Sequence, residues 1–236
     1  MSQSVSMALD HVRQQIRTAE SQADRPAGSV RLIAVSKTFP ADAIREAVAA
    51  GQQAFGENYV QEFAGKAAEL TALGIEWHFI GPIQSNKTRI VAEYAHWVHS
   101  VDRIKIAERL SAQRPAGMPP LNVCLQVNVS GEDSKSGCAP ADLPGLAQQV
   151  ATLPNLRLRG LMCIPEPTPD SDLLAARFRT LRSLRDELNG RGLALEELSM
   201  GMSSDMVLAV QQGATMVRVG TAIFGARDYS HRQIGN

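Results

Sequence analysis

The sequence predicts a single (β/α)8 barrel. Three observations carry that reading: eight short β-type runs, a helical segment between each consecutive pair of them, and a length of 236 residues. Parallel α/β folds show this strict alternation, and eight-stranded barrels usually take about 250 residues.

Taken in order, Val5, Leu9, Val12, Ile16 and Ala19 recur at helical spacing and mark an amphipathic helix within residues 1–24, packed on the barrel. Asp10, His11, Arg13 and Arg17 fall where a signal peptide would need an apolar block. The β-type runs are 30–36, 53–55, 76–80, 97–101, 121–128, 156–164, 197–200 and 215–219. Several are nearly continuous in Val, Ile and Leu, as strands covered on both faces should be. The helical segments are 41–50, 60–73, 87–94, 104–113, 141–153, 172–188 and 204–212, and Gly51, Gly74, Gly190 and Gly213 supply C-terminal stops. A doubly wound open sheet is the alternative, but the first run lacks the Gly-x-Gly-x-x-Gly turn of a dinucleotide fold. With no linker and no low-complexity tract, residues 1–236 read as one domain.

Composition narrows the function. The chain is 44% hydrophobic and 20% charged, with 24 basic residues against 24 acidic ones. No global field draws it to nucleic acid or an anionic membrane, and no segment has the apolar length of a membrane span. Cys124, Cys138 and Cys163 are odd in number and widely spaced. They read as reduced thiols of a cytoplasmic protein, neither a disulfide framework nor a metal site.

In a barrel, chemistry sits on the loops leaving the carboxyl ends of the strands. The first strand ends at Lys37, followed by Pro40 and a helix. A partly desolvated amine there has a lowered pKa and can attack a carbonyl; a plain surface lysine is the bland alternative. After the seventh run comes Leu198-Ser-Met-Gly201-Met-Ser203-Ser204-Asp205, where Ser203 or Ser204 suits a helix N-cap and free first-turn amides suit an anion. After the eighth run comes Gly220-Thr221, and barrels frequently place phosphate at these last two loops. Arg218, inside the eighth run, needs a partner if it points inward: a phosphate, a ring nitrogen or an acidic neighbour. A lysine nucleophile beside a phosphate cradle admits a Schiff-base aldolase or a pyridoxal-phosphate protein.

The chain resembles the YggS/PROSC-type pyridoxal phosphate homeostasis proteins, barrels related to the N-terminal domain of alanine racemase. The motifs are Val35-Ser-Lys37-Thr, Phe55-Gly-Glu-Asn58, Trp77-His-Phe-Ile-Gly81-Pro-Ile-Gln84-Ser-Asn86-Lys87, the segment 198–205 and Val217-Arg-Val-Gly-Thr221-Ala-Ile-Phe-Gly225. The resemblance implies that Lys37 holds pyridoxal 5′-phosphate as an internal aldimine. It also implies that Ser203, Ser204, Gly220 and Thr221 contact the phosphate, that Arg218 meets the pyridine nitrogen and that Asn58 stands near the ring. On its residues alone, Asn58 reads equally as a helix N-cap. The implied role is a carrier or buffer of the cofactor, with apo-enzymes as transient recipients.

A racemase would need an acid/base on each face of the substrate carbon. Tyr59, Tyr94 and Tyr229 are the tyrosines, and none falls in a matching motif. His78 reads as a hydrogen-bonded core or mouth histidine, while Gln84, Asn86 and Lys87 are candidates for the entrance. The loop 130–137 and the proline-rich 164–169 read as rim, with Lys135 a candidate transient acceptor of the aldehyde. Arg177, Arg179, Arg182 and Arg185 form a solvated helix face without the aromatic platform a nucleic-acid surface would need. A monomer is the default, since no heptad or repeat demands an oligomer.

Overall fold

The computed structural model describes residues 4–131 and 136–226. Its strands are β1 (Arg31–Val35), β2 (Ala54–Glu57), β3 (Glu76–Phe79), β4 (Trp97–Val101), β5 (Leu121–Gln126), β6 (Leu156–Met162), β7 (Glu197–Ser199) and β8 (Met216–Val219). They form one closed barrel in sequence order, every pair parallel, and β1 meets β8 with Arg31 opposite Met216. The helices are α1 (Val5–Gln22), α2 (Ala41–Ala49), α3 (Val60–Glu69), α4 (Thr88–Tyr94), α5 (Ile104–Gln113), α6 (Leu143–Ala151), α7 (Ser171–Gly190), α8 (Met206–Gln211) and α9 (Thr221–Phe224). The barrel expectation therefore holds.

Strand alternation separates two cores. One face of each strand packs outward on the helices, as Leu32, Ala34 and Phe55 do with Ile44 and Phe63. The other face fills the lumen with a smaller apolar set, Ile33, Val35, Ala54, Ile80, Trp97, Cys124, Met162 and Met216. His78, His99, Ser199 and Arg218 share that inward parity and are all buried. At the amino end of the lumen, the Arg31 and Arg159 guanidiniums lie over the Trp97 ring at 5.7 Å and 5.2 Å.

The predicted stripe of α1 is buried at Leu9, Val12, Ile16 and Ala19. It packs against α2, α8 and α9. Glu20, at the end of α1, is buried too, and its carboxylate accepts from the Gly28 and Val30 amides at 3.0 Å and 2.8 Å, holding the turn into β1.

Three local expectations are corrected. Helix α8 begins at Met206 with Asp205 at its N-cap, so neither Ser203 nor Ser204 caps it. The Asp205 carboxylate accepts from the Met202 amide at 2.6 Å instead, and the serines sit inside that turn. Helix α7 runs through Gly190, and Gly192 takes the left-handed conformation (φ 99°) that stops it. Tyr59 occupies the N-cap position of α3, which releases Asn58 from capping.

All three cysteines are free thiols. Burial pushes Cys124 and Cys163 up, Cys163 to about 12, and lifts the half-buried Cys138 to about 11. We expect slow alkylation of the folded protein near pH 8, Cys138 first, and three rapid equivalents after unfolding. A fast equivalent in the native state would contradict this burial.

Candidate functional site

The β1 strand delivers Lys37 to the carboxyl end of the barrel through a tight turn, in which the Phe39 amide donates to the Ser36 carbonyl at 3.1 Å. Thr38 adopts φ 69°, a left-handed conformation that a β-branched residue avoids. Its amide donates to Glu62 Oε1 at 2.6 Å, which holds it there. Behind the turn sits a buried ionic cluster. Lys66 Nζ, on α3, donates to the Ser36 carbonyl at 2.7 Å, to Glu57 Oε1 at 2.8 Å and to Glu62 Oε1 at 2.5 Å. Ser36 Oγ adds a 2.6 Å bond to Glu57 Oε1. Burial is the main reason the Glu57 carboxyl is raised above the usual range, and Lys66 offsets part of that effect.

Around Lys37 lies a cavity of about 510 Å³ lined by Val35, Asn58, Ile80, Ile164, Met202, Ser203, Ser204, Arg218, Gly220 and Thr221. All seven residues singled out from sequence thus border one space, contributed by the ends of β1, β2, β7 and β8. Two glycines make the closure possible. Gly201 has φ 98°, and a Cβ on it would stand 2.6 Å from Ala209 Cβ, so only glycine lets the serine turn fold over α8. A Cβ on Gly81 would stand 2.0 Å from the Asn58 carbonyl oxygen, so this close approach fixes where Asn58 meets the mouth.

Arg218 is 3% exposed and no carboxylate forms an ion pair with it among the described residues. Nη1 donates to Ser199 Oγ at 2.7 Å and Nη2 to the Cys163 carbonyl at 2.9 Å. Desolvation pulls its pKa down, yet arginine keeps its charge in proteins. Of the partners weighed for Arg218 from sequence, the acidic neighbour is therefore absent as a contact. Asn58 Oδ1 is likewise buried without a hydrogen-bond partner among the described residues. A buried cation and an orphaned amide oxygen at one cavity suit a ligand that carries both acceptors and a donor.

A second hollow of about 640 Å³ adjoins the first through Asn58 and is lined by Tyr59, Gln84, Lys87, Arg103 and Ser136, among others. Gln84 and Lys87 line this second hollow, and Asn86 does not. The proline-rich loop after β6 joins the rim: Ser130 Oγ accepts from the Glu166 amide at 2.9 Å, and Arg177 donates to the Glu166 carbonyl at 2.8 Å. Lys135 and Tyr229 lie outside the described residues. His78 is in the lumen, stacked on Trp97 at 5.6 Å, and is no part of the mouth. Sequence reasoning missed the Glu57–Lys66–Glu62 cluster. Its signal was a lysine among Phe63, Ala67 and Leu70 on the apolar side of α3, four residues after a glutamate.

A parallel barrel with a lysine, a buried arginine, a glycine–serine turn and a glycine–threonine turn around one mouth belongs to the class of ligand-binding (β/α)8 barrels. The pattern of the family described as alanine racemase, N-terminal domain, matches residues 7–228. The chain is 65% identical over 218 residues to the pyridoxal phosphate homeostasis protein of Pseudomonas aeruginosa, covering 92% of this chain and 94% of that one. It is 54% identical to the protein of the same name from Vibrio cholerae, covering 96% and 98%. Among solved structures, PipY of Synechococcus elongatus with PLP bound aligns with a TM-score of 0.78 and 45% identity, over 89% of this chain and 99% of that one. The chain belongs to the alanine racemase N-terminal domain family and, within it, to the pyridoxal phosphate homeostasis proteins.

Proposed function

We propose that this chain binds pyridoxal 5′-phosphate covalently through Lys37 and acts as an intracellular carrier or buffer of the cofactor, without robust turnover. The observation that carries the reading is Arg218: a buried guanidinium without a carboxylate in contact, opening on the same cavity as the Lys37 amine. The PLP-bound PipY structure supports it.

The cofactor supplies an aldehyde, a phosphate and a pyridine nitrogen. Lys37 would supply the amine for an imine with the aldehyde, with loss of water. Ser203 and Ser204 hydroxyls, with backbone at Gly220 and Thr221, hold the phosphate. Arg218 would meet the ring nitrogen; as it cannot surrender its proton, a ring held there would stay neutral and be a poor electron sink. Asn58 stands beside the ring with its free amide oxygen. This arrangement holds a cofactor better than it drives carbanion chemistry.

A racemase is disfavoured because no tyrosine lines the cavity among the described residues. The unit that acts is the whole chain, 1–236, read as one cytoplasmic domain and one monomer, with apo-enzymes as transient recipients. Among the described residues no helix is long and apolar enough to cross a membrane.

Borohydride reduction of protein saturated with cofactor, followed by peptide mass mapping, tests the reading. A pyridoxyl adduct on the Lys37 peptide is expected; absence of any adduct would defeat it, and a colourless protein would favour the aldolase. Replacing Ser203 and Ser204 together with alanine should narrow the preference for pyridoxal phosphate over pyridoxal by about tenfold or more, read by competitive titration. An unchanged ratio would remove the serines from the phosphate site.

A further inference from the structure

The lumen of the barrel contains a hydrogen-bonded line that the binding reading does not use. Glu76 Oε1 lies 2.8 Å from His78 Nε2, His78 Nδ1 lies 2.9 Å from His99 Nε2, and His99 Nδ1 lies 2.7 Å from Ser199 Oγ. Ser199 Oγ in turn accepts from Arg218 Nη1 at 2.7 Å. The line starts on β3 at the amino end of the barrel, crosses to β7, and ends on the arginine of the mouth. His78, His99 and Ser199 are 0% exposed, so water does not complete their bonding.

With both imidazoles uncharged, as their burial favours, and Glu76 ionised, the donor inventory leaves one arrangement that satisfies every link. Arginine only donates, so Ser199 Oγ accepts there, and with His99 uncharged and donating through Nε2 the serine proton goes to His99 Nδ1. His99 then carries its proton on Nε2 and donates it to His78 Nδ1. His78 carries its proton on Nε2 and gives that bond to the Glu76 carboxylate, which Arg31 also holds at 2.8 Å. In that arrangement a proton added to His78 Nδ1 would face the His99 Nε2–H, setting two donors against each other.

Resting on the reading that the mouth holds a phosphorylated pyridine, we propose that Glu76, His78, His99 and Ser199 are positioning residues that fix the Arg218 guanidinium toward the ring nitrogen. Through this line, a change at the amino end of the lumen alters the cofactor's setting at the other end.

Independent support comes from the surroundings. Burial first, and then the charges of Arg31 and His96 for His78, and of His78, Arg218 and Arg31 for His99, push both histidines below their ordinary values. Glu76 works the other way on His78, and its own carboxyl is held low, chiefly by the bond from that imidazole. Glu76 also lines a hollow of about 660 Å³ at the amino end, with Arg13, Arg17 and Gln52, so the start of the line is open to solvent.

Two measurements test the proposal. Nitrogen-15 NMR of the imidazoles at neutral pH, without added cofactor, should find both histidines uncharged and protonated on Nε2. A proton on Nδ1 of either ring, or a titrating imidazolium, would overturn the line. Titration with pyridoxal phosphate should find Glu76→Ala, far from the mouth, binding about three- to tenfold more weakly with a shifted visible absorption, and Glu76→Gln restoring most of both. Wild-type affinity and spectrum in Glu76→Ala would refute the coupling. If wild-type protein bound no cofactor, the binding reading would fail while the imidazole spectra still judged the line.

Discussion

Lys66→Met should lower the melting temperature by about 10 °C, the result of losing about 3–5 kcal/mol when the single cation is taken from a buried pair. Lys66 Nζ is the atom that joins Glu57, Glu62 and the Ser36 carbonyl. Without it, two carboxyls face each other, and Glu57, fully buried, must take a proton. The pH dependence has a definite sign. Burial already raises the Glu57 pKa in the folded state above its unfolded value. The associated stability is present below the unfolded carboxylate pKa and is lost as pH rises through the folded one. The defect of Lys66→Met should therefore be smallest at acid pH and grow toward neutrality, and Glu57→Gln in the same chain should flatten it. A pH-independent defect in thermal melts would show that Glu57 is not the group responsible. Because Lys66 also braces the turn that carries Lys37, weaker binding of pyridoxal phosphate should accompany the loss of stability if the proposed reading of Lys37 holds.

Gly81→Ala should be at least as damaging. The new methyl carbon would lie 2.0 Å from the Asn58 carbonyl oxygen and 2.7 Å from the Asn58 Cα, and both are backbone, so no rotamer change relieves the clash. Separating the ends of β2 and β3 should destabilise the fold by about 3 kcal/mol or more, at the upper end of overpacking effects. Gly65→Ala is the matched control. It is an exposed position inside α3 with nothing within 4 Å, and it should gain about 0.5–1 kcal/mol from helix propensity. Chemical denaturation of the two variants checks both signs. Equal stabilities would mean that the approach of residue 81 to Asn58 is looser than the structure has it.

Much of this was legible in the sequence because it depends on local pattern. Strand runs of two-sided burial and capped helical stretches fixed the order of elements, and the barrel rule located the mouth at Lys37, Ser203, Ser204, Gly220 and Thr221. Boundaries slipped where a turn competed with a helix: Asp205 binds the Met202 amide, and helix α8 starts two residues later than a serine cap would have it. The lumen was the least legible part. Ser199 and His99 stand 100 residues apart in sequence and touch only because the barrel closes. Nothing in the neighbourhood of either residue records the other. The same holds for Glu20, whose carboxylate serves amides eight and ten residues away across a turn that propensity alone does not specify.

The pairing of β1 with β8 has a bearing on how the chain is made. Synthesis proceeds from the amino end, so Lys37 leaves the ribosome well before β8, the strand that must lie beside β1. Until then β1 is an unprotected sheet edge, open to pairing with another chain. Gly220 and Thr221 follow β8, and α1 clasps that part of the barrel from the other side by resting on α8 and α9. A nascent chain arrested short of β8 would thus display Lys37 without the Gly220–Thr221 turn that borders the same cavity.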